Sequence, residues 1–530
     1  MKRNSLLLFG AVLVLASCVT TSQPQSHGLT FVHLNDTYRV GAVEDGNAGG
    51  FSRVVTLVRE LKAQGRDVRI LHGGDFLYPS LESQLWNGLQ MVDAFNFMDA
   101  IAPMYAVSGN HELDRRGPEQ LVAAIRESQF DWLGDNYVLR TGDVAVDGAL
   151  KSAFTFQSGD KTIGVFALTL HPDDGGNQRD YLDTDGDYMG VAEKTIESLE
   201  AKDVDLIIGV THLHMWQDVE IAGLKARHPT LAFIVGGHEH EPEYSPGSDT
   251  SAIVMKGASN ARVIWTIDVD FFEDEQIRLR EQKIALDESV ELDAGYELLA
   301  TKWRGRLLDK FPFLEARIGT AALPLDGREE TVRNEESSWG NFIADQMRLA
   351  FGEPIADLAF INGGTLRIDD FIEGDILFED IGRTFGFSSF LRLTTLTGAE
   401  FLDVLEAGYR GAGDSKGYFP QVSGFRVCID RSRNSGDRIV SLQVPVAGSW
   451  QEIIADKEYS VVVPDYLYGG GDGYDIPKDR PASPAGSELK YLVLDGVLRA
   501  QALGEKVGAP VDPANPRYHE LLEGKQPCFE

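Results

Sequence analysis

Gly109-Asn110-His111-Glu112-Leu113-Asp114 decides how this 530-residue chain is read. The apolar run Met104 to Val107 precedes it, so a short strand delivers an amide, an imidazole and a carboxylate to its C-terminal end, the edge at which open α/β sheets bind ligands. Four further stretches repeat the pattern of an apolar run that stops at polar ligand types: Asn35-Asp36, Gly73-Gly74-Asp75, Thr211-His212 and Gly236-Gly237-His238-Glu239-His240. One histidine at a strand end is ordinarily a hydrogen-bonded core residue. Five such segments in one chain, mixing carboxylate, amide and imidazole, point instead to a two-metal hydrolytic centre.

Outward from these blocks, strands and helices alternate. Strands are expected at Leu29 to Leu34, Val68 to Leu71, Thr162 to Leu168, Leu206 to Val210, Leu231 to Val235 and Ile253 to Met255. Helices are expected over Phe51 to Lys62, Gln90 to Met98, Leu121 to Arg126 and Ala192 to Leu199. The implied fold class is α/β, a sheet covered by helices. From Phe271 to Arg306 the chain turns polar and helix-prone, and a connecting helix is expected within 291–312. The chain is too long for a single core. The boundaries expected are a first domain over 29–290 and a second over 313–525.

The formal net charge of −33 argues against a nucleic-acid polymer as partner, because such partners select basic surfaces. An anionic substrate would have to be drawn in locally, by cations and a few arginines, since exposed charges are screened beyond about 10 Å. Lys2 and Arg3 followed by the apolar run Leu6 to Ala16 read as a signal peptide over residues 1–18. Leu15-Ala16-Ser17-Cys18 resembles a bacterial lipobox, which implies a lipid anchor on Cys18; a plain signal peptide with an incidental cysteine is the alternative. Val19 and Thr20 offer no aspartate of the kind that retains lipoproteins in the inner membrane, so an outer-membrane address in the cell envelope is expected, with residues 19–28 as a tether. Cys428 and Cys528 remain, as one disulfide or as two separate thiols.

Asp36 and Asp75 supply hard oxygens, and one carboxylate can bridge two cations roughly 3.5–4 Å apart. Asn110 adds an amide oxygen, and His212, His238 and His240 add nitrogens. This donor mix suits manganese, zinc, iron or cobalt, as two divalent or mixed-valence ions, better than calcium. His111 can carry a proton to a leaving oxygen, with Asp114 close enough to orient it. His33 and His72 are expected in the core, and His214 beside the substrate rather than on a metal. Asp183 to Asp187 imitates a calcium loop but lacks its later glycine and glutamate, so a solvated acidic loop is expected there.

The five blocks resemble the calcineurin-like metallophosphoesterases, and with the second domain the whole of residues 29 to about 520 resembles the 5′-nucleotidase family. The resemblance implies a four-layer α/β/β/α first domain and an α+β second domain. It implies one metal on Asp36, Asp75 and His240, another on Asp75, Asn110, His212 and His238, and His111 with Asp114 as the catalytic dyad. The reaction implied is removal of the 5′-phosphate from nucleotides by water activated on the metals. By the same resemblance Arg367 contacts the anionic end of the substrate, and Phe419 and Tyr474 sandwich the base.

Three positions depart from the family pattern or stand apart from it. Tyr38 occupies a slot that usually holds histidine; it reads as a phenolate ligand, as a spectator beside a weaker site, or as the mark of a degenerate centre. Tyr78 resembles an iron-binding tyrosine of purple acid phosphatases, and its simpler reading is a loop residue beside Pro79. Gly386-Phe387-Ser388-Ser389 stands where the family usually has Pro-Phe-Gly-Asn. The alternatives are another hydrolase on this scaffold (a 2′,3′-cyclic phosphodiesterase, a nucleotide-sugar pyrophosphatase or a thiosulfate-ester hydrolase) or a non-catalytic surface binding lipoprotein. Oligomeric state is open.

Overall fold

A computed structural model describes residues 28–172, 178–272, 277–411, 416–521 and 528–529. The lipobox and Cys18 lie outside these residues. Two six-stranded sheets form the first half. In the first, Gly28–Leu34, Asp67–His72, Met104–Val107 and Asp131–Leu133 run parallel, and the antiparallel hairpin Val263–Phe271 and Ile277–Ala285 extends the edge beside Gly28–Leu34. In the second, Lys161–Thr169, Leu206–His212, Leu231–Gly236 and Ile253–Lys256 run parallel between the edge strands Phe154–Ser158 and Glu243–Ser245.

The sheets bury their facing sides against each other. Phe31, Leu71 and Val107 from one meet Val165, Ile208 and Phe233 from the other, with the Phe31 and Phe233 rings edge to face at 5.4 Å. Both faces of each sheet are therefore apolar, which is why these strands read as unbroken hydrophobic runs. Helices Phe51–Ala63, Leu89–Asp99 and Glu119–Glu127 cover the outer face of the first sheet. Tyr188–Glu200 and Met215–Ala222 cover that of the second. The order of layers is α/β/β/α.

One sequence expectation changes here. The stretch after Phe271 is not helical throughout: Ile277–Ala285 is a strand, polar because it is an edge with most of its side chains in solvent. The helix that follows spans Ala294–Lys310, capped by Asp293, whose side chain accepts from the Tyr296 amide. It packs onto the first half through buried Tyr296 and Trp303.

The second half is α+β. One four-stranded sheet orders Leu391–Thr397, Glu458–Pro464, Leu358–Asn362 and Pro420–Ser423; another orders Ser449–Glu452, Ile439–Val446, Arg426–Ile429 and Tyr518–Glu520. Helices Ser338–Leu349 and Leu489–Leu503 share a core with the first of these sheets. Cys428 and Cys528 are bonded, Cα atoms 5.6 Å apart, so the C-terminal tail is tied to the strand Arg426–Ile429. The halves are docked through polar contacts. Asn260 donates to Asp369 at 3.1 Å, Arg262 pairs with the same carboxylate at 3.4 Å, and Gln84 donates to the Gly386 carbonyl at 2.6 Å.

Candidate metal centre

Parallel strands end at the same edge, so Leu34, His72, Val107, His212 and Gly236 release their loops toward one point. The turns there are tight. Asp36, Asp75 and His238 all take positive φ (52°, 61° and 82°), a conformation non-glycine residues adopt only when their surroundings hold them in it. Their surroundings do. The Asp36 carboxylate accepts from the Asn35 side-chain amide at 2.7 Å and from the His238 backbone amide at 2.9 Å. Asp75 accepts from the His111 backbone amide at 2.8 Å. A Cβ on Gly109 would lie 2.1 Å from the Asp75 carboxylate, and one on Gly237 would lie 2.2 Å from the Gly73 carbonyl, so these loops approach each other only with glycine there.

Donor atoms of Asp36, Asp75 and His212 lie within 4.8 Å of one another, all three residues buried. His212 gives its Nδ1–H to the Gly73 carbonyl at 2.6 Å, and its Nε2 faces Asp75 at 3.3 Å and Asn110 Oδ1 at 3.2 Å. His240 Nε2 lies 3.4 Å from Asp36, and the Tyr38 hydroxyl is 3.4 Å from Asp36 and 3.1 Å from His240 Nε2. The His238 ring meets those of His212 and His214 at 5.4 and 4.6 Å. Seven side chains from five loops are thus gathered about a common point.

The electrostatics fit cations in this pocket. Burial, with Asp75 adding to it, pushes the Asp36 carboxyl up to about 7. Asp75 is also desolvated, but His212 and His111 hold it ionised, well below the usual carboxylate range. Burial alone would lower His212; Asp75 and Asp36 outweigh it and lift the imidazole to about 9. Protein groups are standing in as counter-ions for two desolvated carboxylates, and divalent cations would take over that role. The phenol of Tyr38 is pushed well above 10 by burial and by Asp75 and Asp36, so it is neutral here and its deprotonation would need a cation beside it.

His111 Nδ1 and Asp114 lie 2.7 Å apart, and His111 Nε2 points at the Arg367 guanidinium, 3.3 Å away. Burial lowers the imidazole's pKa, but Asp114 and Asp75 outweigh it and raise the group above its ordinary value. Arg367 also lies over the rings of Tyr38 and Phe387, at 5.4 and 5.1 Å.

The expected base sandwich is not formed by the residues named for it. Phe419 immediately precedes the strand Pro420–Ser423, whose register against Leu358–Asn362 turns the ring inward against Tyr409 and Tyr518. Tyr474 is fully buried against Phe360, its hydroxyl donating to the Tyr418 carbonyl at 2.6 Å. Both belong to the core. Among the described residues Phe387 lies beside the reacting centre, its ring 5.6 Å from that of His111, and Tyr466 is 52% exposed with its hydroxyl donating to Asp472 at 2.8 Å. Tyr78 packs between Phe387 and Arg115. His33 and His72 are core residues: His33 bonds the Leu71 and Gly236 carbonyls, and His72 bonds the Thr37 hydroxyl at 2.9 Å. Leu182–Thr184 is a short strand and Asp187 caps the helix after it, which accounts for the acidic loop.

Several residues of the site stand outside the ligand positions read from the sequence. Glu112 accepts from the amides of Asp75, Phe76, Leu77 and Gly109 at 2.6–2.9 Å and so clamps two loops together; its place inside the quoted hexapeptide was the available hint. Lys256 is wholly buried behind the His238–His240 turn, with Asp218 at 3.0 Å, the Gly237 carbonyl at 2.9 Å and Glu239 beside it. Glu329, from the second half, reaches His240.

Comparison with known proteins agrees with this architecture. Residues 29–242 match the model of the calcineurin-like phosphoesterases and residues 317–479 that of the 5′-nucleotidase C-terminal domain. The human 5′-nucleotidase is 25% identical over 503 residues, covering 85% of each protein. A trifunctional nucleotide phosphoesterase of Bacillus subtilis is 25% identical over 525 residues; the match takes in 91% of this chain and 34% of that protein's length. Among solved structures, a 5′-nucleotidase precursor from Thermus thermophilus superposes with a TM-score of 0.80 at 24% identity, over 94% of this chain and all of the other.

Proposed function

Since the chain belongs to the calcineurin-like phosphoesterases that carry a 5′-nucleotidase C-terminal domain, a family of metal-dependent hydrolases, we propose that it removes the 5′-phosphate from nucleotides. One observation carries the reading. Asp36, Asp75 and His212 converge within 4.8 Å beside His111, and Arg367 of the second half faces His111 across the same space. That space is bounded by a proton carrier, an anion-binding guanidinium and a cation-binding cluster, which are the three things a phosphate monoester needs.

Asp36, Asp75 and His240 would hold one ion, and Asp75, Asn110, His212 and His238 the other. When bound, the ions would neutralise the phosphate and supply an activated water. The remaining work belongs to the protein. Arg367 would hold the phosphate against the centre. Asp114 takes the Nδ1–H of His111 and favours the imidazolium form, whose Nε2–H would be delivered to the 5′-oxygen as its bond to phosphorus breaks. Phe387 and Tyr466 would hold the base. Replacing either with alanine is expected to raise KM for AMP roughly 5- to 160-fold, from the ~1–3 kcal/mol that one base–aromatic stack contributes. Phe419→Ala should instead lower the unfolding free energy by about 3–5 kcal/mol and leave KM near the parent value. Urea unfolding and steady-state kinetics on the same preparations check both.

The direct test is hydrolysis by purified, manganese- or zinc-loaded protein, read as inorganic phosphate from 5′-nucleotides, as nucleotide product separated by chromatography from a 2′,3′-cyclic nucleotide and a nucleotide sugar, and as sulfate from a thiosulfate ester. Turnover greatest on the 5′-nucleotides supports the reading. A metal-loaded protein that releases phosphate from none of the 5′-nucleotides refutes it.

We infer from Leu15-Ala16-Ser17-Cys18 that the protein is an envelope lipoprotein, with an outer-membrane address. Cys18→Ser is expected to move it from the membrane fraction to the soluble fraction in the native host. Mass spectrometry of the mature N-terminus without an acylated cysteine would overturn the anchor.

A further inference from the structure

Glu329 is the first residue of a short helix, Glu329–Val332, in the second half, and its side chain is buried. It nevertheless enters the metal centre of the first half. One carboxylate oxygen accepts from His240 Nδ1–H at 2.6 Å and from the Ser259 hydroxyl at 2.9 Å; the other accepts from Arg333 at 2.9 Å and lies 3.7 Å from Arg367. Its backbone amide donates to Asp369 at 3.1 Å, and Asp369 is itself held by Asn260 of the first half.

A neutral imidazole has one N–H. With that proton on Nδ1 and given to Glu329, Nε2 carries its lone pair toward Asp36 and the Tyr38 hydroxyl, the tautomer a metal requires. Without an acceptor at Nδ1 the proton is free to sit on Nε2, where it would bond Asp36 and close the site. The resting geometry leaves this choice to one carboxylate, which is 89 residues from His240 in the chain.

We propose that Glu329 is a positioning residue for the metal centre: by accepting the Nδ1 proton of His240 it makes that ligand competent, so one of the two cation sites is complete only while the second half is docked on the first. This rests on the two-metal reading above. Arg333, also buried, keeps the carboxylate ionised and in place.

The test is metal binding by the full chain, read by calorimetric titration of apo-protein with Mn²⁺ and by elemental analysis after gel filtration. Wild type is expected to hold two equivalents. Glu329→Ala should weaken one equivalent roughly 10- to 100-fold and spare the other, the usual cost of losing a carboxylate behind a ligating histidine. Glu329→Gln, whose amide oxygen can still accept from Nδ1, should recover part of that loss. Because alanine leaves Arg333 buried without its partner, the double variant Glu329→Ala/Arg333→Ala, checked by thermal unfolding of the apo-protein, separates lost folding from lost positioning. It should show the same selective weakening. Two equivalents bound by Glu329→Ala and by the double variant with wild-type affinity would overturn the proposal and leave the two-metal reading standing. A wild type that binds no metal would overturn both.

Discussion

Phosphate release from AMP by His111→Ala is expected to fall by roughly 10²–10⁴-fold while both metal equivalents stay bound. The side chain approaches Asp75 only to 3.9 Å, as a neighbouring charge rather than a hydrogen-bond partner. Its Nδ1 is spent on Asp114 at 2.7 Å, and its Nε2 points into the space that Arg367 closes from the other side. Removing the ring therefore takes away the proton delivered to the departing oxygen without removing a ligand. His111's backbone amide, which bonds Asp75 at 2.8 Å, is untouched by the substitution, so the Asp75 carboxylate keeps its orientation. Elemental analysis beside the kinetics separates the two roles. Loss of metal together with activity would make His111 a ligand, and full activity would remove the dyad from the mechanism. Substrates with a better leaving group should recover part of the loss, because protonation matters less when the departing oxygen is already stable as an anion.

Lys256→Met is expected to lower the unfolding free energy by about 3–5 kcal/mol, measured by urea denaturation, an effect at the upper end for a single substitution. The ammonium is fully buried and is shared by Asp218, Glu239 and the carbonyls of Leu213 and Gly237. Methionine fills much of the same volume, so the cost is not a cavity. It is the buried Asp218 left without a counter-charge, Glu239 left to Lys416 at 3.5 Å, and two carbonyls without a donor. Asp218 further holds the Thr211 hydroxyl at 2.7 Å, next to His212, and Glu239 lies between His238 and His240 in sequence. The loops that carry three of the candidate ligands are thus backed by one cation. The triple variant Lys256→Met/Asp218→Leu/Glu239→Gln should recover a large part of the stability, since it removes the stranded charges rather than one partner. Stability unchanged in Lys256→Met would show that the triad is solvated in a way this geometry does not contain.

Much of the site was legible in the chain because of how parallel sheets work. A strand buried on both faces must be apolar along its length, so the first polar residues after it mark the sheet edge, and Asp36, Asp75, Asn110, His212, His238 and His240 all occur at such stops. The dyad was legible for a related reason: two residues lie between His111 and Asp114, close enough for one turn to bring them together whatever the rest of the fold does. The strand Ile277–Ala285 was not legible. An edge strand facing solvent has the polarity of a surface helix, and only its partner Val263–Phe271 decides between them.

By itself, then, the sequence determined the alternation of strands and helices, the edge at which the ligands collect and the chemistry those ligands share, because each depends on residues a few positions apart. The tertiary structure alone decided which aromatics face the reacting space. Phe419 and Tyr474 stand in glycine-rich turns like those of a binding loop, yet Phe419 packs into the core against Tyr409 and Tyr518 and Tyr474 against Phe360, while Tyr466 stays 52% exposed. It also decided that Lys256, in the apolar strand Ile253–Lys256, is a buried counter-ion, and that Glu329 reaches across to His240. Such contacts join residues whose separation in the chain has no bearing on their distance in space. Their energies exist only once burial has removed the water that would otherwise solvate each charge alone.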